Sequence, residues 1–222
     1  MKGRWGVIGA GLVFLLPFLV WGLLSLGKNR YKRLPIYGPQ EIRAPGDTVW
    51  HRLPVDFVLL NQDSAVFTAD SLRGRIHVAD YFFTRCRGIC PRLSLAMQTV
   101  QTRLTDKAPR VRLVSYTIDP LHDTPSILRQ YAQRYSADLR RWTFVTGPET
   151  TLYRLAVKGY LLPVDKSADT TQGELGYVHS DMLVLVDPEL RIRGFYSGLD
   201  SLQVRRLLDD INLLILEYET PQ

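Results

Sequence analysis

The residues best equipped for chemistry stand together in Tyr81-Phe82-Phe83-Thr84-Arg85-Cys86-Arg87-Gly88-Ile89-Cys90-Pro91, which holds both cysteines of a 222-residue chain. An apolar, aromatic run precedes them and reads as a buried strand. Pro91 then opens a helical pattern with Met97, Val100 and Leu104 on one stripe. The spacing therefore puts both thiols in a strand-to-helix turn at a helix N-terminus. Unpaired N–H groups and the helix dipole stabilise negative charge there, and Arg85, Arg87 and Arg92 add to the effect. Both sulfurs are expected to ionise more easily than a free cysteine. Residues four apart on an ideal helix have Cβ atoms about 5–6 Å apart, whereas a disulfide needs about 3.5–4.5 Å. The pair can thus chelate a soft metal as two thiolates or, with modest adjustment, cycle as a dithiol. A purely structural bridge would close only three intervening residues and constrain little chain.

The elements that must position this turn alternate along the sequence. Val55, Phe57 and Leu59 alternate before a polar Asn61-Gln62-Asp63-Ser64 turn and Val66-Phe67. Ile76 to Phe83 reads as the central strand, the Pro91 helix ends near Thr105, and Val111 to Ile118 is the next buried strand. Asp123 or Thr124 caps a helix with Pro125 in its first turn and Ile127, Leu128, Tyr131 and Tyr135 on its inner face. Trp142 to Val145 is a short strand, and Glu149 to Val157 a short helix. Gly159 to Gly176 is a polar connection leading to His179. Met182 to Val186 and Arg191 to Tyr196 pair around a turn, and a last helix follows Asp200 or Ser201 with Val204, Leu207, Leu208, Ile211, Leu214 and Ile215 in its stripe. This order argues an α/β fold with a mixed sheet flanked by helices. A dithiol between a buried strand and the next helix is the thioredoxin-like arrangement, with three residues between the cysteines in place of two.

The net charge of +6 is a poor guide to a nucleic-acid partner, because of where it lies. Lys2, Arg4, Lys28, Arg30, Lys32 and Arg33 precede Leu34, the first acid is Glu41, and beyond residue 33 basic and acidic residues balance. The basic residues flank Trp5 to Gly27, an uncharged apolar stretch. As a helix it would be about 35 Å long, enough to cross a hydrocarbon core with some tilt. It is expected to be an uncleaved anchor, since no small-x-small cleavage site ends it. The chain accordingly divides into an anchor with basic flanks (1–33), a Pro- and Gly-broken spacer (34–50) and one domain (51–222). Charge counts around the anchor point weakly to a cytoplasmic domain, although long C-terminal domains translocate largely regardless of such charges.

Three blocks together resemble the Sco/SenC family of copper-handling, thioredoxin-fold proteins. They are Phe83-Thr84-Arg85-Cys86 through Cys90-Pro91; Val114-Ser115-Tyr116-Thr117-Ile118-Asp119-Pro120 with Asp123-Thr124-Pro125 and Trp142-Thr143-Phe144-Val145-Thr146-Gly147; and His179-Ser180 with Asp187-Pro188. The resemblance implies a metal site of Cys86, Cys90 and His179 with Asp119 near it as a group that orients the histidine or tunes the thiolates. Two thiolates and an imidazole suit Cu(I) and, with added ligands, can hold Cu(II). The resemblance further implies a single-pass protein of a bacterial-type inner membrane with its domain on the periplasmic side. Its partner would be the copper-bearing subunit of cytochrome c oxidase or another copper or thiol protein. His51, His77 and His122 are expected not to be ligands.

The chain departs from the family where it has Arg87-Gly88 in place of Pro-Asp and Val178 in place of an acid. Both changes remove negative charge beside the site, which should depress the thiolate pKa values further and weaken attraction for a cation. The competing expectation is therefore an extracytoplasmic thiol–disulfide oxidoreductase, with Cys86 attacking and Cys90 resolving. A peroxidase lacks its threonine-and-arginine constellation around Cys86.

Overall fold

A computed structural model describes residues 33–44, 47–104, 111–163 and 180–219. The expected anchor, His179 and most of the Gly159–Gly176 connection lie outside the described residues. Among the described residues, no helix is long and apolar enough to cross a membrane.

A hairpin comes first: β1 (Gln40–Ala44) and β2 (Asp47–Trp50) pair antiparallel. The proline and glycine positions that led us to expect an irregular spacer fall around these strands rather than inside them. The remaining strands, β3 (Val58–Asn61), β4 (Val66–Thr68), β5 (Ile76–Phe82), β6 (Val111–Thr117), β7 (Trp142–Thr146), β8 (Met182–Val186) and β9 (Ile192–Ser197), form one seven-stranded sheet in the order β4-β3-β7-β6-β5-β8-β9. Strands β5, β6 and β7 run parallel, and the others pair antiparallel. The sheet is therefore mixed, as the alternation of elements implied.

Side-chain alternation along β5 explains its central place. Ile76, Val78 and Phe82 enter the core under helices α1 (Cys90–Arg103), α2 (Pro125–Arg134) and α4 (Ser201–Glu219). Ala79 and Tyr81 enter the opposite core, shared with α3 (Glu149–Arg154) and the π-helical turn Leu155–Gly159. With successive side chains on opposite faces, a strand buried on both sides reads as a mostly apolar run, and all seven residues of β5 are buried. Two of those seven, His77 and Asp80, are ionisable, and both stay buried.

One ion cluster locks the closing elements. Arg193 is 2% exposed and donates to Asp187, to Glu217 of α4 and to the carbonyls of Leu34 and Pro35. Removing one member of a buried ion pair leaves the other charge unpaired, which costs about 3–5 kcal/mol. We expect Arg193→Ala to lower the unfolding free energy by about that amount in denaturant titration, and a loss below about 1 kcal/mol would contradict the clamp.

Candidate metal and thiol centre

The cysteine turn is built by the ends of two parallel strands. Phe82 pairs with Thr117, and the Ile118 N–H donates to the Phe82 carbonyl at 2.9 Å, carrying the pairing one residue beyond the strands. The chain then leaves β5 through Phe83 to Ile89 and enters α1, whose first residue is Cys90. Asp123, fully buried, fastens this exit. Its carboxylate accepts the Thr84 N–H at 3.1 Å, the Thr84 hydroxyl, and the Thr117 hydroxyl at 2.5 Å. The sequence offered Asp123 as an alternative helix cap. Thr124 occupies the N-cap position, and Asp123 instead joins the ends of β5 and β6. Its position six residues after Thr117 is the signal that could have found it, because a short loop returning to a parallel strand end brings a carboxylate back over the turn.

Asp119 belongs to the same loop and is almost fully buried. Its carboxylate binds the Arg85 guanidinium, with Nε at 3.0 Å, and its N–H donates to the Thr117 hydroxyl at 3.0 Å. The expected neighbour of the metal site is thus tied to the residue next to Cys86. His122 lies in this loop through its backbone, its N–H donating to the Asp119 carbonyl. His51 and His77 point elsewhere, to the Gly159 carbonyl and the Tyr160 hydroxyl.

Both cysteines are free thiols, Cys86 half-buried and Cys90 buried. Cys86 packs against the core cluster that contains Cys90 and acts on its thiol, so the turn sets the two cysteines near each other. The expectation that both ionise easily fails for Cys90. Burial drives its pKa well above the ordinary thiol value, the hydrogen bond to Cys86 adds to the rise, and the Phe83 backbone opposes it. The magnitudes explain the order of the effects. A helix terminus offers at most about 1–2 kcal/mol to a charge, roughly one pKa unit, whereas full burial can shift a group by several units. Cys90 is only 4% exposed, so desolvation wins.

The site therefore contains one accessible sulfur backed by one buried sulfur. Two adjacent soft donors fit a d¹⁰ cation such as Cu(I). Among the described residues, no group of three or more histidine, cysteine or acidic side chains could hold a metal ion. The third ligand expected from the sequence, His179, lies outside them, immediately before the buried Ser180.

A further carboxylate lies under this centre. Asp80 is 1% exposed on β5, accepts the Ser115 hydroxyl at 2.5 Å through one oxygen, and leaves the other without a partner. Ser115 in turn accepts the Trp142 indole N–H at 2.8 Å. Burial raises the Asp80 pKa to about 7, with Ser115 opposing. In the sequence this group shows only as an acid inside an apolar run.

The chain matches the SCO1/SenC family over residues 49–215. It belongs to that family. The SCO1 protein homolog of Bacillus subtilis is 29% identical over 156 residues, covering 70% of this chain and 79% of the relative. A solved structure of BsSco, described as a member of the Sco family of cytochrome c oxidase assembly proteins with a disulfide switch, is 28% identical with a TM-score of 0.62, covering 74% of this chain and 95% of that one. ScoI of Bradyrhizobium japonicum, solved with copper bound, shares the fold at 21% identity and a TM-score of 0.59, covering 71% of this chain and 97% of the other. The thioredoxin-like arrangement expected from the strand–dithiol–helix order is thus the fold of this Sco-family member.

Two measurements follow from this geometry. A Cys86→Ser variant keeps only the buried thiol and should react with iodoacetamide at pH 8 on the order of tenfold more slowly than Cys90→Ser; equal rates would contradict the asymmetry. Asp80 is protonated in the folded chain up to about pH 7, but ionises near pH 4 when unfolded. Its raised pKa therefore adds no ionisation-linked cost below pH 4, and stability is lost between pH 4 and 7 as only the unfolded chain releases the proton. Asp80→Asn should match the parent near pH 4 and gain about 2–4 kcal/mol by pH 8. Burial lowers the His77 pKa to about 4, which gives an opposite slope in both proteins and cancels in the difference. A pH-independent difference would contradict the Asp80 assignment.

Proposed function

We propose that this chain is a membrane-anchored copper metallochaperone for assembly of the dinuclear copper centre of cytochrome c oxidase. Copper is its cargo. Cys86, Cys90 and His179 hold it, and Asp119 acts on the site through Arg85. The observation that carries the reading is the half-buried Cys86 thiol beside the buried Cys90 thiol that opens α1. A buried donor retains a soft ion, while an accessible donor lets an incoming thiolate or imidazole exchange with it. Membership of the SCO1/SenC family supports the reading, as does the copper bound by the ScoI relative. On this proposal residues 1–33 anchor the chain in an inner membrane, 34–50 lead into the domain, and 51–222 work on the periplasmic side. The acceptor is the oxidase's copper-bearing subunit or another copper or thiol protein, and nucleic acid is not a partner.

The same asymmetry favours a second reading, an extracytoplasmic thiol–disulfide oxidoreductase. The Cys86 thiolate would attack a partner disulfide, forming a mixed disulfide and expelling one partner thiolate. Cys90 would lose its proton and attack the Cys86 sulfur, expelling the second partner thiolate and leaving a Cys86–Cys90 disulfide. Two electrons pass to the partner, and its two thiolates take up two protons.

Competition with a Cu(I) chelator separates the readings when applied to the reduced full chain in detergent. The metallochaperone reading predicts one tight equivalent of Cu(I) in the parent, at least about tenfold weaker binding in His179→Ala and none in Cys86→Ser/Cys90→Ser. Copper binding indifferent to His179, together with parent-like turnover of a disulfide substrate by His179→Ala, would replace it with the oxidoreductase reading.

A further inference from the structure

The chain between the two sulfurs faces solvent. Cys86 and Ile89 pack against the core under α1, and Cys90 is part of that core, whereas Arg87 and Gly88 are exposed.

Gly88 is a glycine that the fold itself does not call for. The glycines with positive φ are Gly38 and Gly74. A Cβ placed on Gly88 would meet nothing within 4 Å, whereas one on Gly147 would lie 2.6 Å from the Leu59 side chain. Neither backbone conformation nor packing among the described residues therefore excludes a side chain at Gly88. Its absence leaves room beside Cys86 for another backbone to approach closely. The main chain is open there too: among the described residues, neither Arg87 nor Gly88 takes part in a turn or cap hydrogen bond. Exposed N–H and C=O groups of this kind can pair with an incoming extended segment.

Arg87 sets the sign of that segment. Arg85 is committed to Asp119, and no described carboxylate lies within ion-pair distance of Arg87. The other acids of the surrounding loops are engaged elsewhere, Asp123 by Thr84 and Thr117, Asp181 by Ser197, and Asp200 by the Leu202 N–H. Arg92, one turn into α1, reaches the Leu199 carbonyl at 3.4 Å. Arg87 thus presents its charge outward, next to the accessible sulfur.

We propose that Arg87 and Gly88 are the docking strip for the partner that exchanges with Cys86, and that this partner is an extended protein segment with a carboxylate beside its reacting cysteine. The carboxylate meets Arg87, and the segment's backbone lies along Gly88. The proposal rests on the reading above that exchange begins at Cys86, and adds the chemistry by which the partner is chosen. An exposed ion pair changes affinity by up to about fivefold, and complementary charge also raises the rate of encounter.

Mixed-disulfide formation at Cys86 tests this without copper. The reduced full chain in detergent, as Cys90→Ser, is mixed with short peptides whose single cysteine carries a thionitrobenzoate leaving group. One peptide has glutamates beside the cysteine, the other lysines. The Cys86 thiolate attacks the peptide sulfur, the new S–S bond joins chain and peptide, and the thionitrobenzoate anion leaves and is followed by its colour. Each rate is divided by that of the same peptide with mercaptoethanol. The normalised rate should be at least about threefold higher for the glutamate peptide at low salt. The ratio should fall to about one in high salt and in Arg87→Gln. Gly88→Val should slow both peptides at least about fivefold by blocking the approach, while the small neutral disulfide dithiodipyridine keeps its rate. A ratio of one in the Cys90→Ser chain at low salt would overturn the charge selection. Peptide rates indifferent to Gly88→Val, or a dithiodipyridine rate that falls with them, would overturn the docking strip. Failure of the underlying reading looks different: Cys86 would not react even with dithiodipyridine in the Cys90→Ser chain, and the proposal would fall with it.

Discussion

The Asp123 carboxylate is the constraint on which the site depends. It is fully buried and accepts from Thr84 at the exit of β5 and from Thr117 at the end of β6. A buried carboxylate with three donors is satisfied where it is and costly anywhere else. Moving the cysteine turn by even one residue would strand it. The turn is thereby held where Cys90 begins α1 and Cys86 stays within reach of it. Asp119 and Arg85 repeat the device nearer the surface, where the ion pair is half-exposed and worth less.

The unequal burial of the two sulfurs gives the turn its chemistry. A symmetric pair of exposed thiolates would bind and lose a soft cation equally from both sides. Here one donor sits under the core of α1 and β5, and the other meets solvent. On either proposed reading, exchange with a partner would begin at Cys86 and finish at Cys90, whether the cargo is copper or an electron pair. Burial disfavours ionisation of Cys90, and on the proposed readings coordination to a metal ion, or bond formation to the Cys86 sulfur of a mixed disulfide, would offset that cost.

Much of the fold was legible because its signals are local. The boundaries of β6, α2, β7 and β8 follow from apolar runs, Pro125 and Asp187-Pro188, and the dithiol turn follows from Pro91. The β1–β2 hairpin was missed because its strands are short, β1 is exposed throughout, and both are flanked by residues that normally interrupt structure. The roles of Asp123 and Asp80 were missed for a different reason. An acid next to Thr-Pro suggests a cap, and an acid in a strand suggests an exposed face; only the return of the chain over the β5–β6 ends reveals the first as a tie and the second as a core residue. The ionisation of Cys90 was misjudged because sequence displays nearby charges but not depth, and depth dominates.

The central claim is that Cys86 and Cys90 act as one donor pair completed by His179. X-ray absorption at the copper edge of the Cu(I)-loaded full chain addresses it directly. The account predicts a three-coordinate spectrum with two sulfur scatterers and one imidazole, with the imidazole component lost in His179→Ala. A spectrum with one sulfur, or one identical in parent and His179→Ala, would contradict it.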